Sequence, residues 1–180
     1  EILPGDKVIE IDPGMAFGTG THETTGMCVE LVEKYVTPGI NAIDVGTGTG
    51  ILALAAAHMG ATDVLAIDID RVAVRVAAEN IKINGFENTI RCKAGDLLEN
   101  VEEQADVVIA NINRNILQMM MPHFSRRIKE GGQLLMSGFL SEDVVHISAS
   151  ALEYGFAIEE VKDAMEGMLS PEIKEEITAQ

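Results

Sequence analysis

Residues 40–51 constrain the fold more tightly than any other stretch of this chain. An apolar run, Ile40 to Val45, breaks into Gly46-Thr-Gly48-Thr-Gly50 and then into the apolar helical sequence that starts at Ile51. Alternating glycines at the end of a buried strand leave backbone N–H groups uncovered by any Cβ, and the helix that follows aims its N-terminus at the same spot. Twenty-two positions after Gly46, the next apolar run, Val64 to Ile67, ends in Asp68, and a carboxylate there suits a pair of ribose hydroxyls. The pattern predicts an adenosine-bearing ligand at the carboxyl ends of parallel strands.

The rest of the chain alternates in the same way. Met27, Leu31 and Val32 keep helical spacing in a predicted helix over 24–35, which Pro38-Gly39 ends. Strands are expected at 40–45, 64–67, 89–92, 105–110, 134–137 and 156–161, with a seventh at 173–179. Helices are expected at 51–59, 71–83, 115–128 and 142–153, with Gly60, Asn84-Gly85 and Gly131-Gly132 as stop signals. Strand–helix alternation with right-handed crossovers gives an α/β fold, a doubly wound and mostly parallel sheet for which seven strands are expected. With 180 residues, a single domain over 21–180 is expected, preceded by a turn-rich entry segment and lid over 1–20.

The glycine spacing selects among adenosine cofactors. A dinucleotide fingerprint, G-x-G-x-x-G, would need glycine at position 51, where this chain has Ile51. Asp44, two residues before Gly46, would repel a pyrophosphate and attract an ammonium or sulfonium group. The expected cofactor therefore carries adenosine and positive charge without a diphosphate, a description that S-adenosylmethionine fits. Asp70, directly before a helix, reads as an N-cap, which leaves Asp68 for the ribose.

These residues resemble the class I S-adenosylmethionine-dependent methyltransferases, in the Asp44 to Gly50 motif, Asp68, Gly95-Asp96 and Asn111. The resemblance implies that Asp44 faces the methionine amino end, Asp68 the ribose and Asp96 the adenine amine, and that the last of the seven strands is antiparallel. The entry sequence Asp12-Pro-Gly-Met-Ala-Phe-Gly-Thr-Gly-Thr-His-Glu-Thr-Thr25 further resembles the ribosomal protein L11 methyltransferase family, which modifies amino groups of a ribosomal protein; the likeness spans roughly residues 10–140. By that resemblance the family's cofactor contacts fall on Thr25, Gly46, Asp68 and Asn111; with Asp44, Gly48, Gly50 and Asp96 of the cofactor motifs and Phe17 and Gly18 of the lid they make up the expected cofactor-binding set, and the expected catalytic residue is Asn111. The side-chain carbonyl of Asn111 would accept a hydrogen bond from the substrate amine and orient its lone pair. Asn113, Arg114 and Asn115 depart from the small apolar residues more usual there. Nothing in the chain corresponds to the family's separate amino-terminal substrate-recognition domain.

Charge and composition narrow the partners. Lys+Arg 13 against Asp+Glu 29 gives a net charge of −16, which disfavours a phosphate backbone and favours a basic protein such as a ribosomal protein. No stretch reaches the length of a membrane span, no export signal is visible, and Cys28 and Cys92 read as buried free thiols, so a cytoplasmic location is expected. His22-Glu23 lacks the histidine at position 26 that a zinc peptidase helix requires, and His58, His123 and His146 fall on different helices, so no metal is expected. Met119-Met-Met121 reads as helix core and rim. Other classes considered are a small-molecule or other-protein N-methyltransferase and a cofactor-binding module without turnover. Oligomeric state leaves no mark in the sequence.

Overall fold

The computed structural model describes residues 6–12, 14, 23–96 and 98–162. The elements run α1 (Glu23–Tyr35), β1 (Asn41–Val45), α2 (Ile51–His58), β2 (Asp63–Asp68), α3 (Arg71–Ile83), β3 (Ile90–Ala94), β4 (Ala105–Asn111), α4 (Arg114–Arg127), β5 (Ile128–Ser137), a 3-10 turn (Ser141–Asp143) and α5 (Val144–Glu153). All four strand pairings are parallel, in the order β3-β2-β1-β4-β5.

Strand alternation divides the core into two layers. Ala42, Val64, Ala66, Val107 and Ile109 point to one face, where Val32 of α1, Leu54 of α2 and Ile81 of α3 cover them. Their neighbours Ile43, Val45, Leu65, Ile67, Val108 and Ala110 point to the other face, beneath Leu117, Met121 and Phe124 of α4 and Ile147 of α5. Strands buried on both sides are why these segments read as unbroken apolar runs. The chain moves outward from β1 to β3, then returns to place β4 on the opposite side of β1. That reversal opens a crevice at the carboxyl ends of β1 and β4, where open parallel sheets take their ligands.

Three expectations change. The described residues form five parallel strands rather than seven, with no antiparallel one among them. The segment predicted as a sixth strand, 156–161, joins no ladder; side chains hold it instead, through Lys34 to Glu160 at 2.5 Å, Tyr35 to Glu160 at 3.0 Å and Gln133 to Glu159 at 3.3 Å. A cavity of about 370 Å³ lies between it and β5 and is lined by both. The expected seventh strand, 173–179, lies outside the described residues.

Gly131-Gly132 does not stop α4, which ends at Arg127 as the chain passes directly into β5. The glycines lie in an irregularity within β5, where the register jumps from Ala105↔Ile128 to Val107↔Gln133. Gly131 has φ +76°, and a Cβ on Gly132 would stand 2.7 Å from the Asp106 carbonyl oxygen. These glycines form a bulge that presses against β4.

Candidate active site

The five strands end side by side at Val45, Asp68, Ala94, Asn111 and Ser137, and the predicted site residues that can be described lie at or next to these ends, apart from Thr25 in α1. Phe17 and Gly18 lie outside the described residues.

The glycine loop crosses the tip of β1. Gly46, Gly48 and Gly50 all have positive φ, at 72°, 56° and 85°, a region that other residues enter only at a cost. The Gly46 and Thr47 N–H groups both donate to the Ile67 carbonyl at 2.9 Å, which ties the loop to the end of β2. Gly50 then caps α2 in left-handed geometry without a side-chain bond.

Asp68 closes the loop from the other side. Its Oδ2 accepts from the Gly48 N–H at 2.9 Å, and its Oδ1 accepts from the Asp70 N–H at 2.9 Å. Asp70 is the N-cap of α3, its Oδ1 accepting from the Val72 N–H at 2.8 Å. The two carboxylates therefore have separate roles, with Asp68 turned toward the loop. The Gly95 N–H donates to the Asp68 carbonyl at 3.1 Å, and this bond brings the exposed Asp96 to the same rim.

Asp44 sits beneath the loop, 1% exposed. Its Oδ2 accepts from the Thr47 hydroxyl at 2.6 Å and the Ala53 N–H at 3.1 Å, whereas its buried Oδ1 has no hydrogen-bond partner among the described residues. Burial pushes the carboxyl up to about 6, and the nearby negative charge of Asp68 adds to the rise. A buried carboxylate oxygen left without a donor, in a crevice with a second carboxylate, favours a cationic ligand group.

Asn111, the last residue of β4, stands opposite. Its Nδ2 donates to the Thr25 hydroxyl at 3.3 Å, and Thr25, in the first turn of α1, is 1% exposed. The structure thus joins two predicted site residues 86 positions apart. The Asn111 Oδ1 lies against Gly138, where a Cβ would come within 2.9 Å of it. The next residue, Ile112, covers the glycine loop: a Cβ on Gly46 would lie 2.5 Å from Ile112 Cγ2. Further along, Asn113 caps α4 through the Ile116 N–H at 3.1 Å, and Arg114 pairs with Asp143 at 2.6 Å.

The model of the ribosomal protein L11 methyltransferase (PrmA) family matches residues 3–168, most of this chain. The chain belongs to the ribosomal protein L11 methyltransferase family. It is 47% identical over 156 residues to the ribosomal protein L11 methyltransferase of Geobacillus thermodenitrificans, which covers 87% of this chain and 50% of that protein. With the Desulfitobacterium hafniense enzyme of the same name it shares 45% over 161 residues, 89% of this chain and 51% of the other. The crystal structure of ribosomal protein L11 methylase from Lactobacillus delbrueckii subsp. bulgaricus superposes with a TM-score of 0.83 at 33% identity, over 91% of this chain and 84% of that one. The chain spans about half the length of the curated L11 methyltransferases it matches.

Several contacts of this L11 methyltransferase-family site escaped the sequence reading. Ile112 falls between a predicted strand and a predicted helix, Gly138 lies outside any predicted element, and Asn80 of α3 holds the glycine loop from behind. Asn80 alone carried a visible signal, as a polar residue on the apolar face of a predicted helix. Among the described residues no cluster of metal-ligating side chains occurs, and no helix is long and apolar enough to cross a membrane. Both cysteines are free thiols; Cys28 is buried and Cys92 only partly so. Burial, followed by the charge of Asp44, pushes them up to about 12 and about 11.

Proposed function

We propose that this chain is the catalytic module of an S-adenosylmethionine-dependent methyltransferase that modifies amino groups of a ribosomal protein. The observation that carries this reading is the contact of Ile112 with Gly46, because it brings the loop suited to the cofactor against the strand end that bears Asn111. When bound, S-adenosylmethionine supplies a sulfonium-activated methyl group whose leaving group is a neutral thioether, so positioning provides most of the catalysis.

The chain's own groups divide that work. Asp68 takes the ribose hydroxyls, the glycine loop lets the cofactor approach a backbone bare of Cβ atoms although its N–H groups at Gly46, Thr47, Gly48 and Gly50 are bonded within the protein, and Asp96 at the rim takes the adenine amine. The buried, unpartnered oxygen of Asp44 attracts the methionine ammonium, and Phe17, Gly18 and Thr25 are assigned to the same end. Asn111, tied by its amide nitrogen to Thr25, offers a carbonyl oxygen to the substrate amine. The incoming amine must be neutral, and a desolvated approach favours loss of its proton. The net charge of −16 favours a basic protein over nucleic acid or a membrane surface, and a ribosomal protein substrate goes with a cytoplasmic location.

Incubation with methyl-labelled S-adenosylmethionine and a ribosomal protein extract tests the proposal, with this chain and with a version extended to the family's full length. Label is expected on a ribosomal protein, more efficiently with the longer version. Cofactor binding without label transfer from either version would reduce the chain to a binding module.

A further inference from the structure

Asn80 lies in the penultimate turn of α3 and is fully buried. A buried amide is costly unless its donors and acceptor are all used, and here they join two segments remote from α3 and from each other. Oδ1 accepts from the Asp12 N–H at 2.8 Å, and Nδ2 donates to the Asp12 carbonyl at 3.0 Å and to the Thr49 carbonyl at 3.0 Å. One planar group therefore pairs with both polar atoms of Asp12 in the entry segment and holds the glycine loop by its remaining hydrogen. The held carbonyl lies between Gly48, whose N–H is bound to Asp68, and Gly50, whose Cα packs toward Ala77 on the same helix.

One turn further on, Asn84 provides an internal comparison. Its Oδ1 accepts from the Glu10 N–H at 2.9 Å and its Nδ2 donates to the Glu10 carbonyl at 2.7 Å, the same two-point pairing with the entry segment. Its second donor bond returns to the Asn80 carbonyl within α3, at 2.8 Å, rather than to the glycine loop. The two asparagines thus share the anchoring of the entry segment and differ in the contact with the loop.

We propose that Asn80 is a positioning residue for the cofactor site, setting the glycine loop through Thr49 and coupling it to the entry segment through Asp12. The proposal rests on the reading that this loop binds S-adenosylmethionine. Asn80 touches neither cofactor nor substrate; it acts through the backbone it holds. Replacing it by leucine keeps a side chain branched at the same carbon, though a bulkier one, and removes all three hydrogen bonds. Asn84→Ala loosens the entry segment and leaves the Thr49 contact in place.

The test compares wild type, Asn80→Leu, Asn84→Ala and Asp68→Ala by calorimetric titration with S-adenosylmethionine, together with thermal melting and KM and kcat for the cofactor. Asn80→Leu is expected to weaken cofactor affinity about tenfold, chiefly through KM. Asn84→Ala should melt earlier than wild type yet bind within about threefold of it. An Asn80→Leu protein that is folded and binds like wild type, while Asp68→Ala binds weakly, would overturn the proposal and leave the cofactor reading intact. Failure of the wild type to bind S-adenosylmethionine would overturn both. Amide exchange in the wild type gives a reading that does not depend on the variant folding. Saturating cofactor should slow exchange of the Asp12 N–H more than that of the Glu10 N–H, and equal effects at the two sites would contradict the coupling.

Discussion

Asp68 holds the Gly48 N–H at 2.9 Å with one carboxylate oxygen and the Asp70 N–H at 2.9 Å with the other. Both bonds fix the plane of the carboxylate at the end of β2 before any ligand arrives. Such preorganisation reduces the ordering cost of binding a ribose diol. It also makes Asp68 a structural partner of the loop that it helps to shape.

Asp68→Ala should therefore lose the ribose contacts and release the loop together. A charge-assisted bond contributes about 1.5–3 kcal/mol, so S-adenosylmethionine affinity should fall at least tenfold. Asp68→Asn, which keeps one acceptor oxygen, should fall between Asp68→Ala and wild type. Calorimetric titration ranks the three.

The buried Asp44 sets a pH dependence. Its folded value of about 6 lies above its ordinary value of 3.8, so the native state holds a proton that the unfolded chain has released. Asp44's contribution to stability is present below 3.8, declines as pH rises through this window and is gone above about 6. Asp44→Asn, which cannot ionise, should gain stability relative to wild type as pH rises from about 4 to 6 in urea titrations. Cofactor affinity should move the other way, strengthening with pH in wild type as the carboxylate ionises toward the ammonium and staying flatter in Asp44→Asn. Parallel pH profiles for the two proteins would count against a charged role for Asp44.

Gly46 permits both the loop's turn and its contact with β4. Gly46→Ala places a Cβ 2.5 Å from Ile112 Cγ2 at a residue with φ +72°, combining a clash with backbone strain. A loss of about 2–4 kcal/mol is expected from the two together. Adding Ile112→Ala should recover the part due to the clash and none of the part due to φ. Denaturant unfolding of the two single variants and the double variant separates the terms.

The sequence carried most of the sheet, because strands buried on both faces and helices closed by glycine or asparagine leave local signals. The bounds of α3 at Arg71 and Ile83 are those its pattern predicts. The glycine loop, Asp68 and Asn111 were legible because they sit at strand ends, where the pattern changes. Long-range pairings were not legible. Nothing near Asn80 points to Asp12, 68 residues away, and nothing near Thr25 points to Asn111. At 156–161, alternation alone could not establish a strand, since a strand also needs a neighbour to bond with. Gly131-Gly132 read as a helix stop because glycine marks both stops and bulges, and only the contact with Asp106 distinguishes them.

In the proposed function the work divides, with the glycine loop and Asp68 holding the methyl donor and Asn111 orienting the acceptor. The most direct measurement is turnover and cofactor affinity of Asn111→Ala beside Asp68→Ala, using labelled S-adenosylmethionine and a ribosomal protein substrate. Asn111→Ala should lower kcat by about 10² or more, as expected for a lost orienting contact, with cofactor affinity changed only a few-fold. Asp68→Ala should lose mainly affinity. Equal losses of cofactor affinity in the two variants, with kcat unchanged in Asn111→Ala, would contradict the account.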